Sequence, residues 1–198
     1  AVYPLPEGVS GIPVIRTGDA NDYVVLRGIT NHAIIELGAG DDIALTGAGE
    51  DHITGGLGND IIAAGDGPNL VRGDEWDATI TEGGYDVITG GNDRDAVYGG
   101  GGNDRIVGYA GDNYLRGNAG NDTIFGGDGP DFILGGAGND ALYGGLGDDV
   151  IAGNDRPVLD CDNSADIADY WSIISSSDGD GHRAGRCAEL TKAVANFI

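Results

Sequence analysis

The chain has 198 residues, 39 of them glycine, and its 33 acidic against 10 basic side chains leave a formal charge of −23. That charge repels phosphate backbones and excludes a nucleic-acid binder, no run of 18 apolar residues exists to make a membrane-crossing helix, and glycine lacks the every-third spacing of collagen. Apolar residues still make up 40% of the chain and recur regularly, so disorder is excluded as well.

The chain opens Ala1-Val2-Tyr3-Pro4 and contains no methionine. This suits a mature N-terminus left by removal of a secretory signal, although a trimmed chain would begin the same way. Residues 1–36 form a lead-in. Between 11 and 46, apolar stretches (Tyr23-Val24-Val25-Leu26, Ala33-Ile34-Ile35-Glu36-Leu37, Ile43-Ala44-Leu45) alternate with turn residues, which predicts first rungs that cap one end of a repeating structure.

From residue 37 to 155 a nine-residue frame repeats, as in Gly-Asn-Ala-Gly-Asn-Asp-Thr-Ile-Phe at 117–125 and Gly-Gly-Ala-Gly-Asn-Asp-Ala-Leu-Tyr at 135–143. Its sixth position holds Asp42, Asp51, Asp60, Asn69, Asp86, Asp95, Asp104, Asn113, Asp122, Asp131, Asp140 and Asp149. Its eighth is aliphatic from Ile53 to Ile151, with Ala44 in the first frame. Two blocks, 37–72 and the frames before 155, are out of phase by one residue around Asp74-Glu75-Trp76-Asp77.

A short strand centred on one inward aliphatic cannot stand alone, so the rest of each frame must turn the chain back. Glycines at the first, second and fourth positions are expected to supply the positive φ angles of that turn. Two frames make one coil of about 18 residues, which stacks Asp104, Asp122 and Asp140 on one edge and Asp95, Asn113, Asp131 and Asp149 on the other. At about 4.8 Å per coil, ionised aspartates would repel strongly. With lysine and arginine nearly absent from the turns, a hard divalent cation with oxygen ligands is the economical partner, and calcium tolerates this mixture of carboxylates and carbonyls better than magnesium.

The frame Gly-Gly-x-Gly-x-Asp-x-(aliphatic)-x resembles the RTX (repeats-in-toxin) nonapeptide. The resemblance implies an all-β fold: a parallel β-roll, a β-helix-like solenoid of calcium-binding repeats, two per coil, with calcium between successive turns. It also implies export from a Gram-negative type of cell and folding only outside. It carries the sixth-position aspartates over as ligands for multiple Ca2+ ions, up to about ten, which would offset about 20 of the negative charges. Asn69, Asn113 and Asp93 depart from the pattern, and sites there are expected to be weaker or empty.

Residues 156–198 lose the repeat and read as a C-terminal cap. Cys161 and Cys187 fit one disulfide, worth roughly 3–4 kcal/mol on the chain-entropy model, or else a pair of buried free thiols. Leu190, Val194 and Phe197 share a helical face, which predicts a short capping helix. The clusters Asp160/Asp162/Asp166 and Asp178/Asp180/His182 read as solvated acidic loops, with a further cation site as the alternative.

No catalytic residues are expected. His32, His52 and His182 have no serine or cysteine partner in a recognisable context, and zinc lacks enough nitrogen or sulfur donors. The seventh and ninth positions point outward and carry Tyr98, Val107, Tyr114, Phe125, Phe132, Leu134 and Tyr143 where a free-standing roll would be polar. Either the tail folds over one of these stripes or other copies of the chain pack there as a homo-oligomer or filament. The expected function is a secreted, calcium-binding structural or interaction protein whose folding calcium drives. The alternative is a secretion and folding module of a larger exported toxin, adhesin or hydrolase.

Overall fold

The structure is a computed structural model that describes residues 12–28, 30–75 and 83–153, with the backbone of three further strands at 158–160, 167–170 and 185–186. The expected Cys161–Cys187 pairing, the helix around Leu190–Phe197 and the Asp178/Asp180/His182 cluster lie outside the described residues.

Consecutive strands lie in different sheets. β1 (Val14–Asp19), β3 (Ile34–Ala39), β5 (His52–Leu57), β7 (Leu70–Arg72), β9 (Ala96–Gly101), β11 (Tyr114–Ala119), β13 (Phe132–Ala137), β15 (Val150–Gly153) and β17 (Ile167–Tyr170) form one sheet in that order, with β18 (Gly185–Arg186) at its end. The second sheet runs β2 (Tyr23–Val25), β4 (Ile43–Leu45), β6 (Ile61–Ala63), β8 (Val87–Gly91), β10 (Arg105–Ala110), β12 (Thr123–Asp128), β14 (Ala141–Leu146) and β16 (Val158–Asp160). Every pairing is parallel except β17 with β18. Alternating strands between two sheets is what a frame of one strand and one turn must do, because each turn reverses the chain across the core. The result is a parallel β-solenoid of about seven turns, roughly 30 Å long at about 4.8 Å per turn.

The eighth-position column is the core. Ile62, Ile88, Val97, Ile106, Leu115, Ile124, Ile133, Leu142 and Ile151 are all 0% exposed. Each stacks on its equivalent one coil on, as in Ile106↔Ile124 and Leu115↔Ile133. Full burial of each such side chain contributes about 1.5–3 kcal/mol, repeated along the axis. The lead-in belongs to the same column, since Ile15 pairs with Ile35 and Val24 with Ala44. Among the described residues no helix is long and apolar enough to cross a membrane.

Coil length varies where register does not. In the lead-in, residue 15 stacks on 35, a coil of 20; in the body, 106 on 124, a coil of 18; across the phase break, 62 on 88 and 71 on 97, a coil of 26. The one-residue slip seen in the sequence is therefore an insertion of 26 − 18 = 8 residues that leaves the core column in line. It also joins the two blocks into single edges: Asp60 with Asp86, and Asn69 with Asp95.

The expectation that three glycines of each turn need positive φ is corrected for the first. Gly100 and Gly102, at the second and fourth positions, have φ of 123° and 105°, whereas first-position Gly99 is not in that region. Its role is spatial, because the first position continues the strand beneath an aspartate.

Candidate metal centres

Each sixth-position side chain turns inward at a coil edge, and these residues are only 0–3% exposed. Their Oδ1 atoms build two continuous ladders. On one edge Oδ1 of Asp42, Asp60, Asp86, Asp104, Asp122 and Asp140 each accepts the backbone N–H of the preceding ladder member, from Asp22 to Asp122, at 2.6–3.0 Å. On the other, Asp51, Asn69, Asp95, Asn113, Asp131 and Asp149 do the same at 2.8–3.0 Å, beginning from the N–H of Ala33. Aspartate is thus a structural acceptor before it is anything else, and the turn N–H groups that have no strand partner are satisfied by it.

The second oxygen is different. Oδ2 of Asp42, Asp60, Asp86, Asp104, Asp122 and Asp131 is buried and has no hydrogen-bond partner. For most of these it lies against the first-position glycine. A Cβ on Gly55, Gly73, Gly99, Gly117 or Gly126 would come closer than 3.0 Å both to Oδ2 of Asp60, Asp86, Asp104, Asp122 or Asp131 respectively and to a glycine carbonyl oxygen of the next coil. The absence of a side chain there leaves a small cradle between a carboxylate oxygen and a carbonyl oxygen. Asp140 and Asp149 likewise place Oδ2 against Gly135 and Gly144, where the nearest atoms are all of the aspartate side chain.

An ionised carboxylate cannot be buried without compensation, so a proton or a cation must supply it. Without a metal, burial first, and then the neighbouring Asp60 and Asp74 charges, push the Asp86 carboxyl up to about 8. Burial and the charges of Asp86, Asp122 and Asp74 do the same for Asp104, also to about 8. Asp122 and Asp131 are raised to about 7 and Asp60 to about 6, with burial the leading cause in each. The donor set of one carboxylate oxygen and turn carbonyls is hard, all-oxygen and rich in main chain, which fits calcium. Among the described residues no three acidic, histidine or cysteine side chains close on one point, so main-chain oxygens must complete each shell.

Not every frame offers the cradle. At Asn69 the side-chain amide donates to the carbonyls of Gly65 and Gly67 at 3.1 and 2.7 Å, and at Asn113 to those of Ala110 and Gly111 at 3.4 and 3.3 Å. The amide puts its own N–H groups where an aspartate frame presents only acceptors. Thr46 replaces the first-position glycine beside Asp51, and its hydroxyl donates to the Ala64 carbonyl. Leu37 fills that position beside Asp42, and in the frame carrying Asp93 the Oδ2 of Asp95 accepts the Gly91 N–H at 2.8 Å. The sequence carries this signal in its first position, which the sixth-position column alone passes over. Asp74, outside the frame, is also buried at 4% exposure, and sequence reasoning missed it as a candidate.

The outward stripes are built from stacked rings. Tyr98 meets Tyr114 at 5.8 Å between centroids, and Tyr114 stacks on Phe132 at 5.4 Å and 10°. On the other sheet Phe125 stacks on Tyr143 at 4.6 Å and 7°, with the Arg105 guanidinium 4.7 Å from the Phe125 ring. Val107 and Leu134 lie half-buried in the same faces. His32 and His52, far apart in sequence, are brought to 4.8 Å between ring centroids.

A family model described as the RTX calcium-binding nonapeptide repeat (4 copies) matches residues 37–71, 80–106, 98–133 and 125–155, together more than half of the chain. The gap between its first two matches falls on the insertion. No curated protein matches the chain. From the stacked Gly and Asp positions and this match together, the chain belongs to the RTX calcium-binding nonapeptide-repeat family, and its repeats bind calcium.

Proposed function

We propose that this chain is an exported structural or interaction protein whose β-roll forms only when calcium is available, and that it is not an enzyme. The observation that carries this reading is the buried sixth-position carboxylate with one oxygen in the ladder and the other without a partner, as at Asp104. Asp60, Asp86, Asp104, Asp122, Asp131, Asp140 and Asp149, each beside a first-position glycine, are the residues that hold calcium. Calcium supplies the positive charge that lets those carboxylates stay buried and ionised. Asn69 and Asn113 close their turns with their own amides, and Asp42 and Asp51, which have Leu37 and Thr46 in place of the first-position glycine, fall outside that set. Millimolar external calcium suits such sites, since a single carboxylate each makes them weak. In a low-calcium cell interior the carboxylates repel and the chain stays expanded, which is the state an export channel accepts.

In this reading the ring stripes are the interaction surface, with copies of the chain packing through Tyr98, Tyr114 and Phe132 or through Phe125 and Tyr143. Light scattering after gel filtration, in a few millimolar calcium and again in chelator, tests both parts. Compaction on adding calcium supports the folding switch; the same radius in both overturns it. Calcium-dependent assemblies that Phe125→Ser and Phe132→Ser dissolve support self-association. A second reading, a folding module of a longer exported protein, is favoured by the way the rings stack on each other within one chain. It predicts a compact monomer in calcium.

A further inference from the structure

The insertion brings an aspartate of its own into the edge of the roll. Gly73 keeps the first turn position, since its carbonyl accepts the Gly56 N–H at 2.7 Å as a rung should. The extra residues follow, and Gly83 and Gly84 resume the turn against Gly101 and Gly58. Asp74 therefore stands at a second position, where neighbouring coils have Gly56 and Gly100. Its side chain folds inward: it is 4% exposed, and Oδ2 accepts the Gly101 N–H at 2.6 Å. Oδ1 is buried and has no hydrogen-bond partner.

The surroundings are cleared for it. A Cβ on Gly83 or Gly100 would come closer than 3.0 Å to Asp74 Oδ2. On the adjoining Gly73, a Cβ would meet Oδ2 of Asp86 and the Gly99 carbonyl in the same way. Two carboxylates, each nine-tenths or more buried and each with an unpartnered oxygen, thus flank one turn, with the Gly99 carbonyl beside them. The Gly99 oxygen accepts the Asp74 N–H at 3.3 Å and keeps a second lone pair. The Asp60, Asp86 and Asp104 carboxyls all respond to the charge on Asp74, which places it within the column's electrostatic reach.

We propose that Asp74 and Asp86, with the Gly99 carbonyl, form a calcium site that the nine-residue frame does not encode, and that this site is the tightest in the roll. The proposal rests on the calcium reading of the repeats. An ordinary cradle offers one unpartnered carboxylate oxygen, and this one offers two, so its charge is doubled and its affinity is higher. Its place matters too. It spans the coil of 26 residues, so occupancy there holds the rungs before and after the insertion in register.

The test is calcium chloride titration of the full chain by calorimetry, with Asp74→Asn, Asp86→Asn and Asp131→Asn beside the parent. Asparagine keeps an acceptor for the Gly101 N–H and removes the charge. Asp74→Asn and Asp86→Asn should each weaken the tightest step by about tenfold or more, while Asp131→Asn, in the other ladder, loses a weaker step and leaves the tightest one alone. If Asp86→Asn weakens the tightest step and Asp74→Asn does not, Asp74 is only a brace for the turn and the proposal is overturned. If Asp74→Asn does not reach the folded circular-dichroism spectrum at saturating calcium, Asp86→Asn carries the test, and an unchanged tightest step there overturns the proposal. If the parent itself takes up no calcium, the reading of the repeats fails instead, which is a separate outcome.

Discussion

The backbone N–H of Asp104 donates to Oδ1 of Asp122 at 2.8 Å, while Oδ2 of the same Asp122 faces Gly117 with no partner. One carboxylate is divided between two tasks: one oxygen builds the ladder by a contact that involves no metal, and the other is left for a cation. The division explains why asparagine can stand in the column at 69 and 113 without breaking it, since Oδ1 serves the ladder equally well.

Separating the two tasks is possible at Asp122 itself. Asp122→Asn keeps the ladder and removes a buried charge, so in chelator the variant should be more ordered than the parent, and in calcium it should bind one ion fewer. Asp122→Ala also removes the acceptor and strands the Asp104 N–H, at a cost of about 1–3 kcal/mol in calcium. Thermal melts by circular dichroism in both conditions check the pair. An Asn variant that melts lower than the parent in chelator would contradict the division.

The reverse exchange is expected to create a site. Gly108 leaves a first-position cradle at Asn113, where a Cβ would now meet the Gly126 carbonyl and the Asn113 amide. Asn113→Asp replaces the donor with an unpartnered oxygen, so calcium bound per chain should rise by one. The same change should lower stability in chelator, where the new carboxylate is uncompensated. Elemental analysis after gel filtration reads the stoichiometry.

A methyl group in a cradle should close it. In Gly117→Ala the new Cβ would come closer than 3.0 Å to Asp122 Oδ2 and to the Gly135 carbonyl. Overpacking of this kind costs about 1–3 kcal/mol, and the variant should also lose one calcium. Ala64, which occupies the same position naturally, is matched by Asn69 and not by an aspartate. Pairing Gly117→Ala with Asp122→Asn should therefore recover part of the lost stability.

The pH dependence should change sign with calcium. In metal-free protein the raised carboxyls, about 6 at Asp60, about 7 at Asp122 and Asp131 and about 8 at Asp86 and Asp104, hold protons that the unfolded chain releases near 4. The stability they contribute is fully present below about pH 4 and is lost as pH rises through 6 to 8. In chelator the roll should therefore be more populated at pH 5 than at pH 8. With calcium the ionised form is the ligand, so affinity should fall from pH 8 to pH 5 and binding should release protons. Circular dichroism against pH, with and without calcium, would refute this if both curves sloped the same way.

The frame, the inward aliphatic column and the two aspartate edges were legible in the sequence because a short-period repeat turns sequence distance directly into stacking distance. Ile106 and Ile124 are two frames apart, and nothing but the repeat is needed to pair them. The same frame carries the resemblance to the RTX family, which the family match bears out. Three features were not legible. First-position glycines are there for an oxygen that arrives from five residues later, so their reason is steric and belongs to the folded turn. The number of residues in the insertion shows only when Ile62 is seen above Ile88, because non-repeating residues leave no periodic mark on the chain. Asp74 belongs to no column at all.

The sequence by itself determined which residues face inward, since burial alternates along a strand and recurs with the turn. Only the tertiary structure decided which of the buried oxygens has a partner. That depends on the N–H groups and side chains of the coil above and the coil below, and so on whether Gly, Thr or Ala stands one coil edge away.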